Sequence, residues 1–305
     1  MTATLAPAER IRDRWSRIAL VGASIIALAG FAWPLVVPAV PEDARAAVPV
    51  LALAVVPAVV IAFALLLDRQ MHSATTIALL GVLTAVGAAI RIAGTGVGGL
   101  EAVFVVLILA GRAYGARFGF LLGMFVIALS SLLWGGIGPW TPFQVFACGW
   151  VAAGAGLLPA VGRRAEIPML VAYGIVASYA FGLVMNFWFW PFAVGGGTGI
   201  SYSADAPLGQ NLAAFGLYSL VTSTLTWDTV RAVTTTVGIL VAGTAGLAAL
   251  RRARVGRAAT RPPAPRSSAR PRSSAPRGGG RRTHPSTAPD AAAVPPRAPH
   301  PSARA

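Results

Sequence analysis

The chain has 305 residues, 56% hydrophobic and 11% charged, a balance outside that of water-soluble domains. Its net charge of +15 is uneven, because residues 251–305 hold thirteen arginines and one acid, Asp290, while the first 250 residues hold twelve arginines and nine acids. Lysine is absent, which excludes a Walker A phosphate loop and with it ATP hydrolysis by this chain, and the apolar runs lack the alternation of barrel strands.

A helix needs about 20 apolar residues to cross roughly 30 Å of hydrocarbon. On that measure the fold class is all-α, a polytopic membrane helix bundle. Residues 1–17, with Arg10, Arg12, Arg14 and Arg17, read as a basic N-terminus held in the cytoplasm. Two spans follow at 18–40 and 47–67, the first too long for the apolar region of a cleavable signal peptide. Pro34 and Pro38 mark its outer end. Six more spans are expected at 74–94, 101–112, 116–134, 142–162, 167–190 and 223–250. The 101–112 run is short, and either tilts or shares its crossing with the glycine-rich stretch before it. Eight crossings place Arg69, Arg112, Arg117, Arg163, Arg164, Arg251, Arg252 and Arg254 on one side. The positive-inside bias then puts both termini in the cytoplasm of a multi-pass plasma (inner) membrane protein.

The loops on the opposite side are glycine-rich: 92–100 has four glycines, 135–142 reads GGIGPWTP and 195–199 reads GGGTG. The longest, 191–222, holds Tyr202, Asp205 and an amphipathic stretch at 212–220, and reads as either a lid or a solvated connector. Residues 251–305, rich in Pro, Ser, Ala and Arg, are expected to be a disordered cytoplasmic tail held near anionic lipid. No aromatic residues interleave with its arginines, so no nucleic-acid partner is expected.

His72, His284 and His300 fall outside the spans, and no acidic pair of the metal-diphosphate type occurs. The expectation is therefore no catalytic residue, no metal and no cofactor. Cys148, alone in an apolar run, reads as a packing residue. Polar groups gather toward the outer side: Arg91, Glu101, Trp140, Thr141, Gln144, Asn186, Trp227, Asp228 and Arg231. Together they describe a pocket for a polar ligand. Individually each has a plainer reading. Asp228 and Arg231, three apart, neutralise one another in lipid; Glu101 favours a helix N-terminus; Arg91 snorkels or pairs with Glu101; the tryptophans form an interfacial belt. On the third span Ala74, Ala78, Gly81, Ala85 and Ala89 form one stripe of small residues. It serves either close packing within the chain or docking of a partner helix.

The run EAVFVVLILAGRAYGARFGFLLG at 101–123, the run WGGIGPWTPFQVFACGWVAAGAGLLPA at 134–160 and TSTLTWDTVRA at 222–232 resemble the substrate-binding S components of energy-coupling factor (ECF) vitamin transporters. The likeness extends over 74–250. It implies a six-helix substrate-binding core with an outward-facing site, preceded by two extra N-terminal transmembrane helices at 18–67. It also implies an A-x-x-x-A face on the first core helix, matched by Ala74–Ala78 and Ala85–Ala89 with Gly81 between them. The implied partners are an ECF coupling transmembrane protein and two ABC-type ATPase subunits. The implied solute is vitamin-like, with cobalamin or a related corrinoid the first candidate. Two other classes stand beside this one. The first is a self-sufficient secondary transporter or small membrane enzyme; a proton-driven carrier is expected to place acids near the bilayer midplane, whereas these acids lie near span ends. A scaffold recruiting partners through its basic tail leaves the polar groups at the other side unexplained.

Overall fold

The computed structural model describes residues 18, 21–22, 24–37, 42–44, 46–51, 54, 74–94 and 101–259. The proposed span 47–67 therefore lies mostly outside the described residues, as does the tail beyond Ala259. Among the described residues the fold is helical throughout, with no strand. Seven main helices follow a short N-terminal helical stretch: α1 (Ala74–Ala93), α2 (Val103–Tyr114), α3 (Ala116–Trp134), α4 (Thr141–Leu157), α5 (Arg163–Ala193), α6 (Leu208–Ser219) and α7 (Thr229–Ala259). A nine-residue π-helical segment, Leu220–Asp228, joins α6 to α7. Among the described residues, four helical runs are long and apolar enough to cross a membrane: Ala74–Ala93, Ala116–Trp134, Arg163–Ala193 and Leu208–Ala253.

Helix α2, the run that is short in sequence, has 12 residues, about 18 Å of helix. It packs against α1, α3, α4, α5 and α7 and buries Val103, Phe104, Leu107, Ile108, Leu109, Ala110, Gly111 and Ala113. A helix enclosed by its neighbours has no solvated face to mark with polar residues, which is why it is apolar all round up to its last turn, where Arg112 and Tyr114 stand. One residue, Gly115, turns α2 into α3 at φ 95°, a backbone conformation that only glycine adopts without strain.

The closest helix contacts rest on buried glycines. A Cβ on Gly111 or Gly119 would overlap the backbone carbonyl of Ala152, and one on Gly123 that of Cys148. Helices α2 and α3 thus meet α4 backbone to backbone, the close approach that small residues permit in apolar surroundings. The stripe on α1 behaves differently. Ala74, Ala78, Gly81, Ala85 and Ala89 are all exposed, while Leu80, Thr84, Gly87 and Ala88 form the packed face. Among the described residues the stripe is therefore not part of the packed face of α1. Spacing alone identifies a stripe, and the larger side chains Leu80 and Thr84 beside it take the interior.

Two boundaries also need correction. The helical run expected to start at 223 begins at Leu208, because the π-helical segment carries it unbroken from α6 into α7. The connector expected over 191–222 shrinks to 194–207. Its chain is held by Trp190 Nε1 donating to the Ile200 carbonyl at 2.7 Å and by Asn211 Nδ2 donating to the Ser203 carbonyl at 2.7 Å. The N-terminal stretch is joined to the core rather than appended to it. Phe31 and Trp33 are buried, with Phe31 edge-on to Phe143 at 4.9 Å and Trp33 Nε1 donating to the Trp188 carbonyl at 3.0 Å. Trp150 Nε1 donates to Ser24 Oγ at 2.9 Å, and Tyr202 Oη to the Pro34 carbonyl at 2.9 Å. That last bond ties the 194–207 connector to the N-terminal stretch.

Candidate functional site

The chain order of the antiparallel helices brings two groups of polar side chains to one end of the bundle. The first centres on Arg231, in the first turn of α7. Its Nε donates to Glu101 Oε2 at 2.7 Å, and its Nη1 donates to Asp228 Oδ1 at 2.5 Å and to the Ser178 carbonyl at 3.2 Å. The guanidinium also lies over the rings of Phe181, at 4.8 Å, and Phe104, at 5.6 Å, a cation–π arrangement strengthened by desolvation. Ser223 Oγ donates to Asp228 Oδ2 at 2.7 Å. That bond spans five residues, and the π-helical geometry places the two side chains together. Arg231 is 5% exposed and Asp228 1%, so each charge depends on the other for its solvation. Gly182 on α5 makes room for the carboxylate, since a Cβ there would overlap it.

The second group centres on Arg91. Its Nη1 donates to Ser130 Oγ and its Nη2 to Gln144 Oε1, both at 2.9 Å. Glu101 is accordingly the partner of Arg231, and Arg91 joins α1 to α3 and α4. Beside Gln144, Phe143 stacks on Trp188 with centroids 4.6 Å apart and planes 4° from parallel.

Of the nine sequence-derived candidates, the structure gathers Glu101, Asp228 and Arg231 into one network and Arg91 and Gln144 into another. Thr141 Oγ1 accepts the Gly138 N–H at 2.9 Å and closes the turn before α4. Trp140 and Trp227 are exposed, Trp227 at 52% although its neighbour Asp228 is buried. Asn186 lies one turn from Gly182, on the helix face toward Asp228. Its Nδ2 is buried with no hydrogen-bond partner among the described residues, and so is Trp188 Nε1. A buried donor left unpaired costs about 1–3 kcal/mol, so each of these nitrogens would gain from an acceptor, as would the likewise unpartnered hydroxyls of Thr84, Ser131, Ser219 and Thr235. Two residues apart on one helix, Asn186 and Trp188 point to opposite faces of α5, one toward each network.

Two further features escape sequence reading. The hydroxyls of Ser130 and Ser223 and the backbone carbonyl of Ser178 complete the networks, although nothing marks these residues among the other serines. At the far end of the bundle, Glu166 accepts from Arg112 Nε at 2.9 Å and from Arg251 Nη1 and Nη2 at 2.9 and 2.5 Å. A signal for this cluster exists: Glu166 is the lone acid between Glu101 and Asp205, in a stretch holding Arg112, Arg117, Arg163 and Arg164.

Two apolar cavities lie elsewhere, and none of the nine candidates lines either. One, of about 170 Å³, sits between α4 and α5 beside Trp150, Tyr173 and Phe181. The other is a groove of about 500 Å³ between α1 and α3, lined by Ile77, Gly81, Thr84, Phe125 and Leu129. Among the described residues, no group of three or more His, Cys, Asp or Glu side chains is placed to hold a metal ion. Compared with known protein families, with curated proteins and with solved structures, the chain finds no match.

Proposed function

We propose that this chain is the solute-binding membrane subunit of an ECF-type importer. It captures a vitamin-like molecule at the Arg231 end and passes it inward only with a coupling protein and two separate ATPases. The observation that carries the reading is Asn186 Nδ2, a buried donor without a partner on the α5 face toward the Arg231 network, with Trp188 Nε1 a second such donor on the opposite face. Cobalamin or a related corrinoid is the first solute to test, on the strength of the sequence resemblance. The same reading supposes a six-helix binding core with two additional N-terminal spans. It places the Arg231 end outward and both termini in the cytoplasm, so a reporter inserted at Asp205 is expected to read outside; an inside signal would reverse the site's orientation.

Trp188→Phe separates a binding role from a packing role. The ring and its stack on Phe143 survive, and only the indole donor is lost. Solute affinity is expected to fall about tenfold, the loss of one hydrogen bond, while stability is unchanged or slightly raised. Unchanged affinity together with lowered stability would remove this donor from the site.

The exposed stripe on α1 supports the coupling half of the proposal. Leucine at Ala78 or Ala85 is expected to abolish co-purification with the coupling protein while solute binding persists, because close helix approach leaves no space for the larger side chain. Full recovery of the complex with both variants would show that this face meets lipid alone.

A further inference from the structure

We propose that the Glu166 end of the bundle binds the headgroup of an anionic phospholipid, with the phosphate held by Arg163, Arg251 and Arg252 and the acyl chains lying beside Leu157 and Val161. The proposal is independent of the solute-binding reading.

Glu166 fixes the geometry. It is buried and accepts from Arg112 and from both terminal nitrogens of Arg251. Arg112 in turn donates to the carbonyls of Leu158 and Pro159, at 2.8 and 3.1 Å, which holds the connector between α4 and α5 against α2. Tyr114 Oη donates to the Leu250 carbonyl at 2.6 Å and brings the turn of α7 that carries Arg251 and Arg252 to the same place. Helices α2, α5 and α7 and the 158–162 connector therefore meet around one carboxylate.

That carboxylate is outnumbered. Arg163 lies one helical turn before Glu166, on the same face, followed by Arg164, and Arg252 adjoins Arg251. Arg163, Arg164, Arg251 and Arg252 are exposed. Among the described residues, Arg163, Arg164 and Arg252 have no ion-pair partner. An excess of guanidinium groups on a rigid frame suits a phosphate, which accepts paired N–H bonds from arginine.

Two observations favour a lipid over a soluble anion or an acidic protein. The cluster sits at the ends of helices long enough to cross a membrane, since Arg163 opens one such run and Arg252 nearly closes another. Next to it, Leu157 is 72% exposed and Val161 37%, an apolar flank that a free phosphate does not use.

Native mass spectrometry of the full chain in detergent tests this, with phosphatidylglycerol, phosphatidylcholine or inorganic phosphate added at equal concentration. Phosphatidylglycerol is expected to be retained about tenfold more than phosphatidylcholine, and inorganic phosphate not at all. The double variant Arg163→Gln, Arg252→Gln is expected to lose about tenfold in phosphatidylglycerol occupancy, in line with the contribution of basic residues near anionic lipid. The tail variant Arg270→Gln, Arg272→Gln removes the same charge and is expected to change occupancy less than twofold. Equal retention of the two lipids, equal losses in the two variants, or occupancy by inorganic phosphate alone would overturn the proposal.

Discussion

Replacing Arg231 by methionine is expected to lower the stability of the purified protein by about 3–5 kcal/mol, the usual result of removing one member of a buried ion pair. Methionine matches the length of the arginine stem and keeps contact with Phe104 and Phe181, so lost packing contributes little. The loss comes from Asp228, 1% exposed, which keeps only Ser223 as a hydrogen-bond partner. Glu101 differs because its side chain is 31% exposed, and Glu101→Gln is expected to cost only about 1 kcal/mol, since water solvates the position. Thermal unfolding in detergent compares the two variants. Equal losses would show that Arg231 is not isolated from solvent. The same measurement bears on the site, because a pair this well satisfied has little hydrogen-bonding capacity left for a solute. Asp228→Asn is therefore expected to lower stability more than it lowers affinity, while the unpaired Asn186 and Trp188 donors carry the recognition.

Gly111→Ala is expected to destabilise the protein by about 2–3 kcal/mol, although alanine is the better helix former by about 1 kcal/mol. The added methyl meets the Ala152 carbonyl, and backbone on both sides leaves no rotamer to relieve it, so α2 and α4 must separate. Gly81→Ala is the control. Nothing lies within 4 Å of its Cβ position, and the helix preference alone predicts a gain of up to about 1 kcal/mol. Opposite signs for two Gly→Ala changes, read as shifts in unfolding temperature, test whether helix contact at Gly111 sets the limit. A gain at both sites would contradict the close α2–α4 contact.

The contrast between these glycines shows what the sequence reveals and what it hides. Apolar run length is enough to mark α1, α3, α5 and the last long run as helices able to cross a membrane, because bilayer thickness is the one constraint all of them share. Interior and exterior are harder. Gly119–Gly123 and Ala74–Ala78 have the same small-residue spacing, yet one faces a carbonyl of α4 and the other faces outward. In a bundle whose exterior is also apolar, hydropathy cannot separate the two. The charged residues were legible as belonging to one end or the other, through the alternation of arginine-rich loops. Their pairing was not. Asp228 with Arg231 follows from helical spacing, whereas Glu101 with Arg231 and Glu166 with Arg112 and Arg251 join residues 130, 54 and 85 positions apart. The π-helical segment that sets Ser223 against Asp228 leaves no mark in its own residues, LVTSTLTWD. It also hid the start of the long helical run, since Ser and Thr in that stretch read equally well as loop.

The most direct test of the central claim is thermal unfolding of the purified full-length chain with and without candidate solutes, beginning with cobalamin and continuing through other vitamins. A ligand that binds only the folded state raises its stability by about 2.7 kcal/mol at a hundred times its dissociation constant. Saturable, concentration-dependent stabilisation by one member of the panel is expected, with marked weakening in Trp188→Phe. Contradiction would take the form of no stabilisation by any member, or of stabilisation that Trp188→Phe and Asn186→Leu leave intact.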